Sequence, residues 1–382
     1  MVRHALLVLA SVLAATGACA SSEAPNPAGR PAVPEGFSLV TIAHVPNVRE
    51  LAVAPNGDLL AGTLGREIVV LADAQGTPHP PATFVRADDA PASGIALASD
   101  ALYVGTQFGV WKVPYRTGDR KARESLKRIA SIRPSGIASD HHTTSLALDG
   151  EQLYASVGSS CDACDPELDA TRATVQEMGL DGNGMHPKAI HIRNAIALAI
   201  DPATHVLWAG VAGQDELVNG HPYEIFDPVG AHAGTVDYGW PHCYENRRAV
   251  KPGADCTHQI VPRVVFPAYE TPIGAAFYPL HPTGRFAFPP AYRGAAFVTL
   301  HGSWHQPLVP PRVVFVPLDG DNPRKPVDWG DPHVQWRDFL SGFQASDGGR
   351  IGRPTGIAVG TDGSLFVADD SAGAIYRIRP TR

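Results

Sequence analysis

The chain has 382 residues and a formal net charge of −7 at pH 7. This charge provides no basic surface for nucleic acid, and the acidic residues are scattered rather than grouped into an acidic tail. The length is enough for one large domain or two small ones. Composition therefore excludes a nucleic-acid-binding protein and leaves the domain organisation to the sequence pattern.

The first 20 residues predict an export signal. A short basic start precedes an apolar run at residues 5–15 that is too short to span a bilayer. Two cleavage sites overlap: Ala18-Cys19-Ala20 is an A-x-A site, whereas Thr16-Gly17-Ala18-Cys19 is an imperfect lipobox that would leave Cys19 acylated. Residues 21–35 are small, polar and proline-rich, which predicts a flexible leader. We therefore expect a periplasmic or secreted protein, with a membrane-anchored lipoprotein as the alternative.

Four cysteines follow the signal, namely Cys161, Cys164, Cys243 and Cys256. Their even number and the expected export favour two local disulfides, Cys161–Cys164 and Cys243–Cys256. A four-cysteine zinc site is the alternative, although the second pair is spaced more widely than in a zinc knuckle.

One short pattern recurs six times between residues 36 and 382. In each copy an apolar triplet is followed by a turn and then by a second β-rich run. The triplets are Leu51-Ala52-Val53, Ile95-Ala96-Leu97, Leu146-Ala147-Leu148, Leu198-Ala199-Ile200, Ala275-Ala276-Phe277 and Ile357-Ala358-Val359. Six such units predict an all-β fold, a single six-bladed β-propeller, whereas a β-sandwich would not repeat one pattern six times. The strand at Phe37–Ala43 is expected to complete the last blade, beside Ile375.

Polar residues stand in the loops that join these units. Asp140-His141-His142 precedes the third unit, where His141 would be either a general base or a structural histidine. Arg193-Asn194 precedes the fourth unit, and an arginine there suits a carboxylate or an anionic transition state, or else a salt bridge between blades. Both motifs are expected near the central channel.

Three further motifs occupy comparable loops. Gln214-Asp215-Glu216 offers clustered oxygen ligands of the kind that calcium takes, or a solvated turn. His301-Gly302-Ser303-Trp304 follows the inner strand of the fifth unit, and Gly352-Arg353-Pro354 precedes the sixth. Together the motifs predict that histidine, arginine and polar groups gather at one level of the propeller.

Read in chain order, these strings resemble the sorbosone dehydrogenase family, which is related to soluble glucose and aldose sugar dehydrogenases. The resemblance runs from about Phe37 to the C-terminus. It rests on His141-His142-Thr143-Thr144-Ser145-Leu146, Val157-Gly158-Ser159-Ser160-Cys161, Ile192-Arg193-Asn194, Asp215-Glu216-Leu217, Tyr238-Gly239-Trp240-Pro241, His301-Gly302-Ser303-Trp304 and Arg353-Pro354.

The resemblance implies a propeller that binds pyrroloquinoline quinone (PQQ) and calcium and oxidises an aldose or related sugar aldehyde. His141 matches the base that takes the proton of the substrate's C1 hydroxyl while hydride passes to the quinone. Arg193 and Asn194 match cofactor-binding residues, with Arg193 stabilising charge on a quinone oxygen. Arg353 matches an arginine that binds a PQQ carboxylate, and His301 stands where the glucose enzymes carry a PQQ-binding lysine.

The same resemblance implies a calcium site at Gly213, Gln214, Asp215 and Glu216, with backbone carbonyls near Gly213 and Gln214 as ligands. Electrons would pass to an acceptor such as a cytochrome or a quinone.

The chain departs from the glucose enzymes at two further positions. Ser159 replaces an aspartate that orients the catalytic histidine, and Ser93-Gly94 replaces a glutamine that contacts the cofactor. Two alternative functions therefore stay open. One is a metal-dependent lactonase using Asp140 and Glu216, and the other is a binding propeller without activity.

Overall fold

Short β-strands account for nearly all the regular structure of the computed structural model, which describes residues 30–133, 141–215, 217–218 and 220–381. Within those ranges there is no α-helix, and the two 3-10 helices, Val229–Ala231 and Pro290–Tyr292, have one turn each. Turn residues break the apolar runs every few positions, so the chain forms hairpins instead of helices. No helix in the described part of the chain is long and apolar enough to cross a membrane.

The strands form six four-stranded antiparallel units, one per predicted repeat. Strand β1 is Phe37–His44. Blade 1 has β2 Val48–Val53, β3 Leu59–Thr63, β4 Glu67–Leu71 and β5 Ala82–Arg86. Blade 2 has β6 Gly94–Leu97, β7 Ala101–Gly105, β8 Gly109–Pro114 and β9 Lys127–Ser131. Blade 3 has β10 Leu146–Asp149, β11 Gln152–Val157, β12 Thr174–Gly179 and β13 His186–Ile190.

The later blades carry short insertions. Blade 4 has β14 Ala195–Ile200, β15 Leu207–Val211 and β16 Glu224–Asp227, then the insertion strands β17 Val236–Asp237, β18 Cys243–Tyr244 and β19 Arg248–Ala249, and finally β20 Val264–Phe266. Blade 5 has β21 Pro272–Phe277, β22 Ala296–Leu300 and β23 Arg312–Val316, then β24 Leu318–Asp319 and β25 Asn322–Pro323, and finally β26 Arg337–Leu340. Blade 6 has β27 Pro354–Val359, β28 Leu365–Asp369, β29 Ala374–Pro380 and, as its outer strand, β1. Strand β17 adds a parallel edge to blade 3.

The N-terminal strand closes the ring, as the sequence predicts. Strand β1 pairs antiparallel with β29 from Phe37 opposite Pro380 to His44 opposite Ala374. The Phe37 ring packs edge-on against Phe288, with ring centroids 4.8 Å apart. Joining the two ends of the chain in one blade removes the free edges that an open sheet would expose.

The last residues before β1 are also part of the fold. Ala32 exchanges two backbone hydrogen bonds with Ser341, at 2.9 and 3.0 Å, and Val33 packs against the aromatic core of blades 5 and 6. The prediction of a flexible leader therefore does not hold for Ala32 and Val33. The remainder of that segment and the predicted signal, residues 1–29 including Cys19, lie outside the described residues.

The six inner strands surround a central channel in a closed ring, and the hydrophobic core lies between successive blades. Glycines allow neighbouring inner strands to approach at the end where those strands begin. A Cβ at Gly94 would collide with the Thr144 carbonyl of blade 3, and one at Gly356 would collide with the Arg49 carbonyl of blade 1. The predicted six-bladed propeller is confirmed.

Candidate active site

The predicted site residues lie together at one end of the channel. Inner strands begin and second strands end there, and we call it the site end. His141 precedes β10, Arg193 and Asn194 precede β14, and Arg353 precedes β27. His301 directly follows β22, the second strand of blade 5, and not the inner strand β21 as the sequence predicted. Their roles in chemistry stay predictions, but all five residues lie at the same end of the propeller.

Ser159 fixes the His141 ring. His141 Nδ1 lies 3.0 Å from both the Ser159 carbonyl oxygen and Ser159 Oγ. Because Ser159 Oγ donates its only proton to the Cys161 carbonyl, at 2.8 Å, both Ser159 atoms can only accept from the ring. Nδ1 therefore carries the hydrogen, and Nε2 has the basic lone pair. Ser159, at the position where the resemblance implies an aspartate, thus orients this histidine.

The charge state of His141 follows from its surroundings. Burial and then the positive charge of Arg193 lower the pKa of His141 to about 3, against a smaller opposing effect of the bond to Ser159. The imidazole is therefore neutral at ordinary pH, which is the form that can accept a proton.

Gly158 holds His141 and Asn194 close together. A Cβ on Gly158 would lie 2.5 Å from Asn194 Oδ1 and 2.5 Å from the Cβ of His141. No side chain larger than hydrogen fits at that distance, so the Val157-Gly158-Ser159 string requires its glycine for packing.

Arg193 is buried and surrounded by acceptors. Its Nη2 lies 2.8 Å from Asp162 Oδ1 and 3.0 Å from Asp215 Oδ2. Nε donates to the Asp162 carbonyl at 3.2 Å, and Nη1 donates to the Ala212 carbonyl at 3.3 Å. About a third of each carboxylate side chain is exposed, 32% for Asp162 and 31% for Asp215, so the arginine lies just beneath the surface of the site.

His301 and Arg353 form the opposite wall. His301 Nε2 lies 3.1 Å from both carboxylate oxygens of Asp370, which also pairs with Arg49 at 2.8 Å. Burial lowers the pKa of His301 to about 4 despite Asp370, so His301 supplies no positive charge where the resemblance implies a lysine. Arg353 donates from Nε to the His301 carbonyl at 3.1 Å and from Nη2 to the Gly302 carbonyl at 2.6 Å.

Several residues of this wall were missed by the sequence analysis. Arg350 donates to the carbonyls of Ser303 and Val309, and its Nε is buried without a hydrogen-bond partner among the described residues. Nearby, the His305 ring stacks between Tyr269 and Trp304, with centroids 3.9 and 4.0 Å away. Trp304 is 66% exposed. Only Trp304 had a sequence signal, as the last residue of the His301 string.

The predicted calcium residues are used in other contacts. The Gly213 amide donates to Glu224 at 2.6 Å, and the Asp215 carboxylate pairs with Arg193. Gln214 lies between them in an irregular loop, and Glu216 is outside the described residues. No group of three or more histidine, cysteine or acidic side chains capable of holding a metal occurs in the described ranges. The calcium site stays a prediction.

Glu50 places a carboxyl group in the channel below the site. Arg49, Ser93, Thr143, Ser145 and Thr355 surround it at the site end, and aliphatic side chains such as Ile95, Leu146, Ile196 and Ile273 line the channel beyond. Glu50 Oε2 accepts from the Ile95 amide at 2.9 Å and from the Leu146 amide at 3.4 Å. Burial raises the pKa of Glu50 to about 7.

Both predicted disulfides are present. Cys161 is bonded to Cys164 and Cys243 to Cys256, so the alternative of a four-cysteine zinc site is wrong. The second disulfide closes the blade 4 insertion, where a cavity of about 60 Å³ beside Arg193 is lined by Tyr238 and Trp240. Trp240 Nε1 donates to the Asp162 carbonyl at 3.1 Å, so the Tyr238-Gly239-Trp240-Pro241 string contacts the site through Asp162.

Comparison with known proteins agrees with the resemblance. Residues 244–381 match the family model described as TrAA12-like. A curated uncharacterized protein of Borreliella burgdorferi is 25% identical over 194 residues, which are 50% of this chain and 48% of that protein. The chain thus spans about half the length of the curated relative that it matches.

Solved structures share the fold at low sequence identity. The family AA12 carbohydrate-active enzyme of Trichoderma reesei matches with a TM-score of 0.77 and 19% identity, over 93% of this chain and 98% of that one. The PQQ domain of Coprinopsis cinerea pyranose dehydrogenase gives 0.76 and 18%, over 94% and 99%. The PQQ-bound aldose sugar dehydrogenase of Streptomyces coelicolor gives 0.63 and 17%, over 91% and 99%. These structures share the propeller fold of this chain, in agreement with the predicted resemblance to the quinoprotein sugar dehydrogenases.

Proposed function

We propose that the protein is a PQQ-dependent oxidoreductase that oxidises an aldose or a related sugar aldehyde. The observation that carries the proposal is the arrangement at the site end. A neutral, oriented His141 lies beside Arg193 and Asn194, with arginines on the opposite wall. Bound PQQ would supply the redox chemistry by accepting hydride from the sugar.

The residues present fit an anionic planar cofactor. Arg350 and Arg353 donate to backbone carbonyls. Because a carbonyl carries no net charge, these hydrogen bonds do not neutralise the two guanidinium groups. Within the described ranges, Nε of Arg350 and Nε2 of His305 are buried polar atoms without a hydrogen-bond partner, of the kind that a bound ligand satisfies. The carboxylates of PQQ would bind Arg353, with Arg350 beside it. His301 would contact the cofactor through polar contacts without adding charge.

In this proposal His141 is the base. Its Nε2 would accept the proton of the substrate's C1 hydroxyl, while Ser159 holds Nδ1–H and keeps the ring in the correct tautomer. Arg193 would stabilise negative charge that develops at the cofactor, because its guanidinium is fixed by four acceptors before substrate binds. Negative charge near His141 would also raise the pKa of its imidazole and make it a stronger base.

Calcium would bind through the loop of Gly213, Gln214, Asp215 and Glu216. Asp215 is then shared between the ion and Arg193, so calcium and the Arg193 ion pair would be coupled. Calcium would therefore change the stability of the protein even without cofactor, and titration of the cofactor-free protein with calcium alone tests this part of the proposal.

An acceptor for the electrons would bind near the same end. Leu168, Val218, Trp304 and Ile351 are large apolar side chains with 38–66% exposure, and all four lie in loops of the site end. Exposed apolar side chains around a site suit a cytochrome or an amphipathic quinone. A periplasmic or secreted location, with or without a lipid anchor at Cys19, would bring the protein together with such acceptors.

The test is a titration of cofactor-free protein with PQQ, with and without calcium. A ligand that binds the native state raises the melting temperature by mass action. We expect a PQQ-dependent rise and sugar-dependent reduction of a redox dye, and His141→Ala should abolish dye reduction while the rise persists. His142→Ala, which removes the exposed neighbouring histidine, is the matched control and should remain active.

Two results would contradict the proposal. No rise at saturating PQQ would leave a binding propeller without this cofactor. Activity that survives His141→Ala would remove His141 as the base. A calcium-dependent lactonase receives no support from the described side chains, and both of its expected acids, Asp140 and Glu216, lie outside them.

A further inference from the structure

A short loop after β11 contacts both of the proposed reactive side chains. This loop, residues 159–164, is closed by the Cys161–Cys164 disulfide, and we call it the cystine loop. At its start, Ser159 binds His141 Nδ1 through both its carbonyl and its hydroxyl oxygen. The Ser159 amide donates to the Arg193 carbonyl at 2.8 Å, so the same residue also binds the backbone of Arg193, in the loop before β14.

The middle of the cystine loop holds the Arg193 guanidinium. Asp162 accepts from Arg193 twice, through its carbonyl oxygen and through Oδ1. Asp162 Oδ1 also accepts from the Asp215 amide at 2.7 Å, and the Asp162 carbonyl accepts from Trp240 Nε1. One residue between the two cysteines thus connects Arg193, the predicted calcium loop and the blade 4 insertion.

The disulfide is placed where regular structure is missing. Residues 158–173 connect β11 to β12 with no strand or helix. Bonding Cys161 to Cys164 limits the backbone conformations of this segment, and the Ser159 hydroxyl donates to the Cys161 carbonyl. The bonds to His141 and Arg193 therefore depend on a segment whose shape the disulfide restricts.

We infer that the cystine loop is the positioning element of the site and that the Cys161–Cys164 disulfide holds Ser159 against His141 and Asp162 against Arg193. The cystine loop thereby orients His141, a task that the resemblance assigns to an aspartate at position 159. The inference rests on the proposed function for its catalytic consequence and on this chain's own contacts for its geometry.

The test compares two cysteine-pair variants in the full chain. Cys161→Ser with Cys164→Ser removes the disulfide from the cystine loop, and Cys243→Ser with Cys256→Ser is the matched control. In cofactor-free protein, hydrogen exchange of the Ser159 and Asp215 amides reports on the loop directly. We expect exchange at both to rise by about tenfold or more in the first variant and by less than about threefold in the control.

The catalytic consequence is measured with PQQ and an aldose. Misplacing reacting groups by about 1 Å costs on the order of 100-fold in rate. The first variant should therefore lose about 100-fold in kcat with little change in KM for the sugar. Asp162→Ala should accelerate exchange at Asp215 and lower kcat, whereas Asp162→Asn, which keeps an oxygen acceptor, should recover most of the protection.

Either of two results would overturn the inference. One is wild-type exchange at both amides in a folded variant without the Cys161–Cys164 disulfide, and the other is faster exchange with unchanged kcat. If that variant does not fold, Asp162→Ala and Asp162→Asn decide by the same two measurements. A wild-type protein without PQQ activity would defeat the proposed function instead, and the exchange data would still decide whether the disulfide holds the loop.

Discussion

Replacing Glu50 by glutamine should make the protein more stable at neutral and alkaline pH. Burial in the channel raises the pKa of Glu50 from 4.5 to about 7, against smaller opposing effects of Ser145, the Ile95 and Leu146 amides, and Arg49. The folded state therefore prefers the protonated carboxyl. The stabilisation is fully present below about pH 4.5 and is lost as the pH rises through about 7.

The magnitude follows from the two pKa values of Glu50. One pKa unit corresponds to about 1.4 kcal/mol, so ionisation of this group should cost about 2.5 kcal/mol of stability between about pH 5 and about pH 8. Glutamine cannot ionise, and its carbonyl oxygen can accept from the same two amides. The difference in free energy of unfolding between the variant and the wild type should thus grow with pH by about that amount.

Denaturant unfolding at a series of pH values measures this difference. Glu224 is also buried, and its pKa is also raised to about 7, so the wild-type curve contains both groups and only the comparison of variants isolates Glu50. Glu151→Gln, which removes an exposed carboxyl in the turn after β10, should give a curve parallel to the wild type. Parallel curves for Glu50→Gln would refute the reasoning.

Three other changes test the packing of the site and the closure of the ring. Gly158→Ala should cost about 1–3 kcal/mol, read as a lower denaturation midpoint, and should reduce turnover, because its Cβ would press on Asn194 and His141; an unchanged midpoint would contradict the packing. Trp304→Ala should leave stability within about 0.5 kcal/mol because the side chain is exposed, yet weaken PQQ or sugar binding in a titration; unaltered affinity for both would remove Trp304 from the site. Deleting the chain through His44 should lower the melting temperature strongly, because blade 6 would lose its outer strand; a chain that melts normally would disprove closure by β1.

The repeat predicted the fold because it reports a local property. Each apolar triplet, such as Leu146-Ala147-Leu148, became the inner strand of a blade, and each following run became the second strand. Hairpins form between residues close in sequence, so their signal lies within a few positions. The closure by β1 was predictable as well, since six units with one missing outer strand leave a single place for it.

The site was only partly predictable. The sequence placed His141, Arg193, His301 and Arg353 in loops between strands and so indicated that they lie at one end of the propeller. How Ser159 orients His141, at the position where the resemblance implies an aspartate, was not evident from the sequence, because a backbone carbonyl contributes and carbonyls carry no sequence signal. The leader prediction failed at Ala32 because its partner, Ser341, is in a distant blade.

The sequence by itself determined the number of blades, the closing strand, the two disulfides and the end of the channel where polar residues gather, because each depends on local pattern or on position relative to a repeat. Only the tertiary structure decided which atoms meet there. Burial and partners in other loops or blades produce three features of the site: the lowered pKa of His141, the hydrogen bond from Arg193 to Asp162, and the buried Nε of Arg350. Electrostatic and hydrogen-bond energies depend on the distances between such partners, and folding of the whole propeller sets those distances.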